Sequence, residues 1–466
     1  MNYDRLEKPL VLAVFGITGD LAQRKLLPAL YHLAKAGDLP EQLHVIGISR
    51  RDVSADDVYG QLASSVDEKD FDQSIEQRLR DCTEMRQMDL LDESAYVALL
   101  NRLHEIEAGY HEEGGASRLY YLSIPAQAVT PIIRLLGKTG HAAPLEATTD
   151  LPRLLVEKPF GYDLTSAKEL VGVVDEHFRE EQVYRIDHYI AKETVQNILT
   201  FRFQNPLFET VWNREHIDHI EIKALESIDI EDRANFYEQT GALRDLIQSH
   251  LLQLLAITTM DRPAELDSDH IHAAKLQLLQ AVAPIAPDEV ATKTARGQYE
   301  GYRDEVGNPD SLTETFARLV LAIDNDQWRG VPIVLETGKA LDEKLTQVSI
   351  CFQQANDDEE EKNKLVFRIQ PREGITLRLQ TKRPGIRNIT EGADMDFDYA
   401  HSFNTRSAEA YERVIVDAIR GDQTLFASAK EVIRSWEIIE NVLAQWSHSA
   451  EGLIFYPKGS SPDTIA

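Results

Sequence analysis

The sequence predicts a two-part chain: a doubly wound parallel α/β sheet over residues 1–185, then a larger α+β region over 186–466 with a mostly antiparallel sheet. Three observations predict it. Short apolar runs alternate with helical patterns through the first 185 residues, as parallel strands with crossover helices require. From VPIVLETGKAL (331–341) onward four strands follow one another without intervening helices, as a large antiparallel sheet requires. The chain then closes on two amphipathic helical patterns.

Taken in order, PLVLAVFG (9–16) reads as a buried strand ended by glycine, and TGDLAQRKLLPALYHLAKAG (18–37) as a helix. Leu26, Leu30 and Leu33 fall on one helical face, and Gly37 is a stop signal. LHVIGISR (43–50), RLYYLSIP (118–125) and RLLVEKPFG (153–161) are further strands, separated by patterns such as the helical ESAYVALLNRL. HIDHIEIKALES (216–227) alternates as a half-buried strand, and GALRDLIQSHLLQLLAITTM (241–260) is a strongly apolar helix. VPIVLETGKAL, TQVSICFQQ, NKLVFRIQP and GITLRLQTKRPG are the antiparallel strands, with ANDDEEEKNK (355–364) expected as a solvated hairpin loop. AEAYERVIVDAIRG and AKEVIRSWEIIENVLAQW are the two final helices. The sequence shows no internal repeat.

Composition narrows the function classes. The 78 acidic against 49 basic residues give a net charge of -29, which excludes a basic footprint for nucleic acid. Any anionic ligand must therefore be held by a local cationic pocket. The two cysteines, Cys82 and Cys351, form no metal-ribbon or disulfide framework and fit a reducing compartment. No apolar stretch approaches membrane-spanning length, so a cytoplasmic protein with no membrane partner is expected.

Three stretches carry candidate chemistry. GITGDLA (16–22) lies between the first strand and helix, where glycines let backbone amides approach a pyrophosphate. Its G-x-x-G spacing is shorter than the usual fingerprint, and a plain helix cap by Thr18 or Asp20 explains it equally. Ser49-Arg50-Arg51 ends the second strand, where an arginine suits a 2′-phosphate. YRIDHYIAKE (184–193) gathers His188, Tyr189 and Lys192. If 187–197 is helical, His188 and Lys192 share a face at i and i+4 and converge on one anion; an ordinary helix start with salt bridges is the simpler alternative.

GITGDLAQRKLLPAL (16–30), VEKPFGYDL (156–164) and YRIDHYIAKETVQN (184–197) together resemble the glucose-6-phosphate dehydrogenase family. The likeness continues collinearly through FRFQNPLFETVWN, LRDLIQSHLLQLL, DQWRGVPIVLETGKAL, LVFRIQP and AYERVIVDAI. The resemblance implies a Rossmann N-terminal domain and a larger substrate-binding and oligomerisation domain. It implies oxidation of β-D-glucose 6-phosphate at C1, with NADP as cofactor, NAD as a possible secondary acceptor, and no metal. A homodimer or homotetramer is the implied assembly.

The implied site follows residue by residue. His250, in SHLLQ, becomes the base, though with Leu246 and Leu254 a turn to either side it reads by itself as a core histidine. Asp187 becomes its orienting carboxylate. His188, Tyr189 and Lys192 grip the phosphate, with Lys339 and Lys344 of GKALDEK reaching it from the sheet; by themselves these two read as exposed loop lysines. Glu226, Asp245 and Gln370 bind sugar hydroxyls; the two acids alone would read as surface groups. Gly16, Thr18, Gly19, Asp20, Leu21 and Arg50 take the cofactor, and Lys158 of EKPFG serves both ligands. Pro159 matches a family proline with a cis peptide bond. Val129 stands where some members have a cofactor-contacting tyrosine, so that contact is not expected. Arg368 and Lys382 match part of a second, structural NADP site of animal relatives, but YPKGSSPDTIA lacks its C-terminal wall, so that site is not expected either. Two other readings fit the same motifs: an oxidoreductase for a different sugar or sugar phosphate, and a non-catalytic NADP-binding regulator.

Overall fold

β1 (Leu10–Phe15) is buried along its whole length, because a parallel strand covered on both faces needs apolar side chains at every position. β2 (Leu43–Ser49), β3 (Thr83–Gln87), β4 (Ser117–Leu122), β5 (Arg153–Val156) and β6 (Val183–Ile186) pair with it in parallel, in the order β6-β5-β4-β1-β2-β3. A short strand, Phe426–Ala427, adds antiparallel to β6 at the edge. In this computed structural model residues 6–66, 69–110, 115–143, 150–354, 362–403 and 406–465 are described. The expected hairpin loop at 355–364 falls mostly on residues 355–361, outside them.

The chain divides into two compact units. The first comprises residues 1–161, 165–191 and 408–429; the second comprises 162–164, 192–407 and 430–466. The first unit thus runs past the expected boundary at 185 and takes back the helix Ala410–Arg420. Tyr411, Val414, Ile415 and Ala418 of that helix join the apolar cluster that contains Leu10, Leu12, Val14 and Leu30.

The second unit is built on β7 (Ile217–Leu225), β8 (Val282–Ala283), β9 (Thr294–Tyr299), β10 (Phe316–Ile323), β11 (Ile333–Gly338), β12 (Leu345–Phe352), β13 (Lys364–Gln370), β14 (Gly374–Lys382) and β15 (Thr390–Asp398). The order is β15-β14-β13-β12-β7-β11-β10-β9, with Leu453–Tyr456 beyond β9 and β8 paired to β10. The sheet is mostly antiparallel, but β7 and β11 pair in parallel, as do β9 and the last strand.

Two expected elements take a different form. The helix after RIDHY spans Glu193–Gln204, while residues 188–192 form turns and Lys192 sits at the N-cap with extended backbone. The expected helix over 241–260 breaks at Gly241, whose φ of +63° and ψ of 177° are not helical. It resumes as a π-helix, Leu243–Leu251, and finishes as an α-helix, Leu252–Thr259. Among the described residues no helix is long and apolar enough to cross a membrane.

Candidate active site

In the first unit, the turn after β1 is shaped by Gly16 at φ +81°. A Cβ there would stand 2.2 Å from the Ser123 carbonyl oxygen, so only glycine allows this approach to the end of β4. The Gly16 amide donates to Ile48 at 3.0 Å, and the Gly19 amide donates to Gly16 at 2.8 Å. Neither Thr18 nor Asp20 caps the helix. The helical backbone begins at Asp20, the Gly19 carbonyl accepts from Gln23 N–H at 3.0 Å, and Asp20 pairs outward with Arg24 at 2.7 Å. A glycine-shaped turn leading to a helix without a side-chain cap fits a pyrophosphate. Arg50 is exposed, and the neighbouring Arg51 reaches the Thr18 carbonyl at 3.5 Å. Val129 is buried.

β5 delivers Glu157 and the half-buried Lys158, and the Lys158–Pro159 peptide is cis, as the resemblance implied. The Tyr121 hydroxyl donates to Glu157 Oε1, and Tyr411 also hydrogen-bonds this carboxylate. Removal from water pushes the Glu157 carboxyl up to about 7, against the pull of both tyrosines and of Lys158. Burial and Glu157 push the Tyr411 phenol up, with a smaller contribution from Asp187. β6 ends at Ile186, and Asp187 follows, buried, its Oδ1 accepting from the Tyr189 amide at 2.9 Å. The His188 ring stacks on Tyr411, 6.3 Å between centroids and 22° between planes. Arg185 is a scaffold residue: it pairs with Glu180 at 2.7 Å, and Glu180 also accepts from the Ala429 amide.

In the second unit, Lys192 donates to Gln370 Oε1 at 2.5 Å, and Gln370 Nε2 donates to Thr346 Oγ1 at 3.0 Å. The i, i+4 helix face expected for His188 and Lys192 does not exist, because the helix begins one residue after Lys192. Turn geometry, not helical spacing, presents these side chains. Lys339 is buried and pairs with Glu226 at 2.5 Å, its Nζ lying 5.4 Å from the Tyr237 ring centroid. The reading of Lys339 as an exposed loop lysine fails, whereas Lys344 is exposed as that reading had it. Tyr237 lies close enough to Asp245, Glu314 and Glu226 for their charges to add to burial in raising its phenol well above the ordinary range.

Asp245 and His250 ride the same π-helix and are both buried, with exposures of 7% and 1%. Asp245 is thus no surface acid. Leu246 and Leu254, four residues to either side of His250, are buried with it, as the reading of a core histidine had it.

The structure therefore joins Lys192 with Gln370, joins Lys339 with Glu226, and puts Asp245 and His250 on one element. Sequence reasoning missed Glu157, Tyr121, Tyr411 and Tyr237. Glu157 and Tyr411 lie inside EKPFG and AYERVIVDAI, blocks already singled out, but no spacing rule links positions so far apart. His219, Glu221 and Cys351 bring three ligand atoms within 4.8 Å of one another. Lys364 already pairs with Glu221 at 3.1 Å, and Lys362 pairs with the adjacent Asp218 at 2.6 Å.

Comparison with known proteins identifies the family. Residues 13–197 match the model of the glucose-6-phosphate dehydrogenase NAD binding domain, and residues 199–465 match that of the C-terminal domain. The glucose-6-phosphate 1-dehydrogenase of Chlamydia muridarum is 40% identical over 94% of this chain and 90% of its own length. That of Bacillus subtilis is 36% identical over 97% and 94%. A solved glucose-6-phosphate dehydrogenase in complex with its substrate glucose-6-phosphate superposes with a TM-score of 0.90 at 31% identity, covering 98% of this chain and 96% of the other. The Mycobacterium avium enzyme gives 0.82 at 30% identity, over 98% and 96%. The chain belongs to the glucose-6-phosphate dehydrogenase family.

Proposed function

We propose that this chain oxidises β-D-glucose 6-phosphate at C1 to 6-phospho-D-glucono-1,5-lactone with NADP+, the first step of the oxidative pentose phosphate pathway. The observation that carries the reading is the pair of buried polar residues, Asp245 and His250, on one π-helix of a chain that belongs to this family. His250 takes the C1 hydroxyl proton as the carbonyl forms, and Asp187 is the carboxylate that favours the resulting imidazolium. His188, Tyr189, Lys192, Lys339 and Lys344 hold the phosphate by charge-assisted and neutral hydrogen bonds. Glu226, Asp245 and Gln370 receive sugar hydroxyls. The ion pair of Lys339 with Glu226 and the bond of Lys192 to Gln370 support this division, since each sets a phosphate donor beside a hydroxyl acceptor.

Gly16, Thr18, Gly19, Asp20, Leu21, Arg50 and Lys158 would hold the cofactor, whose nicotinamide supplies the hydride acceptor when bound. The Gly16 turn fits that role because its backbone comes closer to β4 than any Cβ would allow. We further propose a cytoplasmic homodimer or homotetramer. Ile386, Ile389, Met395 and Phe403, exposed at the β14–β15 end of the sheet, support self-association. A monomer by light scattering would contradict that.

A spectrophotometric assay of NADPH and NADH formation tests the function. Turnover is expected with glucose 6-phosphate and not with glucose at comparable concentration, and with NADP+ ahead of NAD+. Equal turnover on the two sugars would point instead to a sugar oxidoreductase that ignores the phosphate, and no turnover to a binding protein.

A further inference from the structure

We propose that Glu314 is a positioning residue: it fixes the start of the helix that carries Asp245 and His250, and the short strap around it, residues 311–315, ties that helix to Lys339. The inference rests on the assignment of His250 as base. Glu314 itself touches none of the groups assigned to substrate or cofactor.

The helix begins at an unusual break. Gly241 is buried at φ +63°, and a Cβ on it would stand 2.4 Å from Glu314 Oε1. The carboxylate thus fills the space that any other residue at 241 would need for its side chain. Two amides that the helix cannot bond internally then turn to the strap. Leu243 N–H donates to Glu314 Oε1 at 2.9 Å, and Ala242 N–H donates to the Glu314 carbonyl at 2.9 Å. The preceding helical segment is held by the same stretch: Ser311 and Asn308 donate to the Glu238 carboxylate, and Thr313 donates to its carbonyl.

The other end of the strap holds Lys339. Lys339 N–H donates to the Thr315 carbonyl at 2.9 Å, and the Tyr456 hydroxyl donates to the Lys339 carbonyl at 2.8 Å. Thr315 Oγ1 in turn lies 2.8 Å from that Tyr456 hydroxyl and accepts from Tyr299 N–H at 2.9 Å. Adjacent residues, Glu314 and Thr315, therefore fix the base-bearing helix and the lysine that pairs with Glu226. Glu314 is 5% exposed, and burial raises its carboxyl while the Leu243 amide opposes the shift. A buried acid costs stability unless its bonds are kept, so packing alone does not account for a glutamate here.

The test measures kcat and KM for glucose 6-phosphate in Glu314→Ala, Glu314→Gln and Glu314→Asp, beside His250→Asn, with thermal melts of each. Glu314→Ala is expected to lower kcat by about 10- to 100-fold, as displacement of a base by about 1 Å does. KM is expected to change less than kcat, by under about 5-fold, because the phosphate lysines Lys192 and Lys339 do not ride the displaced helix and only Asp245, assigned to a sugar hydroxyl, does. Glu314→Gln keeps an oxygen that accepts from Leu243 N–H, and its kcat should stay within about 3-fold. If the alanine variant does not fold, Glu314→Asp, which withdraws the carboxylate by one methylene, is expected to show the same kcat-selective loss. A kcat near the parent value in folded Glu314→Ala or Glu314→Asp, or a glutamine variant as impaired as alanine, would overturn the inference. If His250→Asn collapses while the alanine and aspartate variants keep full kcat, the inference alone falls. If His250→Asn also keeps full turnover, the base assignment falls and the inference with it.

Discussion

Lys192 illustrates how one residue serves a site by its surroundings and not by its spacing. It occupies the N-cap position of the helix Glu193–Gln204 and its side chain donates at 2.5 Å to Gln370, two strands from the sheet centre. A lysine so tethered loses little further freedom when an anion arrives, and a charge-assisted bond contributes about 1.5–3 kcal/mol. Lys192→Thr is therefore expected to raise KM for glucose 6-phosphate by about 10- to 100-fold with a smaller effect on kcat. Initial rates across substrate concentration give both constants, and an unchanged KM would remove Lys192 from the phosphate site. The residue types and blocks were legible in the sequence. The partners were not: no periodicity links Lys192 to Gln370, Lys339 to Glu226, or Glu157 to Tyr411, because the members of each pair lie on elements far apart in the chain.

Among the elements, those with one dominant signal read correctly. β1, β2, β4 and β7 follow from apolar runs and alternation, and the closing helices from their apolar stripes. The elements that departed are the ones where tertiary bonds overrode local pattern. A helix over 187–197 would have set His188 and Lys192 on one face, yet Asp187 draws the Tyr189 amide into a turn, and the helix waits for Glu193. The 241–260 segment is apolar enough for one α-helix, yet Glu314 takes its first amides and the segment starts as a π-helix. The turn after β1 supplies an element-scale prediction. Gly16→Ala must displace the Ser123 carbonyl and adopt a positive φ, each costing on the order of 1 kcal/mol or more. Binding of NADP+, followed by calorimetry, is expected to weaken at least about 10-fold while the fold persists; unaltered affinity would count against this turn as the cofactor's seat.

For the whole molecule, a charge of -29 is no obstacle to the proposed anion site, because the cations assigned to it are few and local. The same acidity makes pH a useful probe of the fold. Glu431, fully buried, pairs with Lys275 at 2.9 Å and His272 at 2.7 Å. These partners outweigh burial and hold its carboxyl down to about 2, below the ordinary 4.5. The unfolded chain therefore binds this proton more tightly. The pair's stabilisation, on the order of 3 kcal/mol, is present in full above pH 4.5 and lost as pH falls towards 2. Glu431→Gln should lower the melting temperature at pH 7, with the gap narrowing as pH drops below 4.5; a gap independent of pH would show that the network acts by packing alone.

The central claim is that His250 takes the proton of the C1 hydroxyl of glucose 6-phosphate. It is tested most directly by steady-state NADPH formation in His250→Asn, with substrate affinity followed in parallel. The account predicts that glucose 6-phosphate still binds within a few-fold of the parent affinity while kcat falls by about 10²–10⁴. Near-normal turnover in the variant would contradict it.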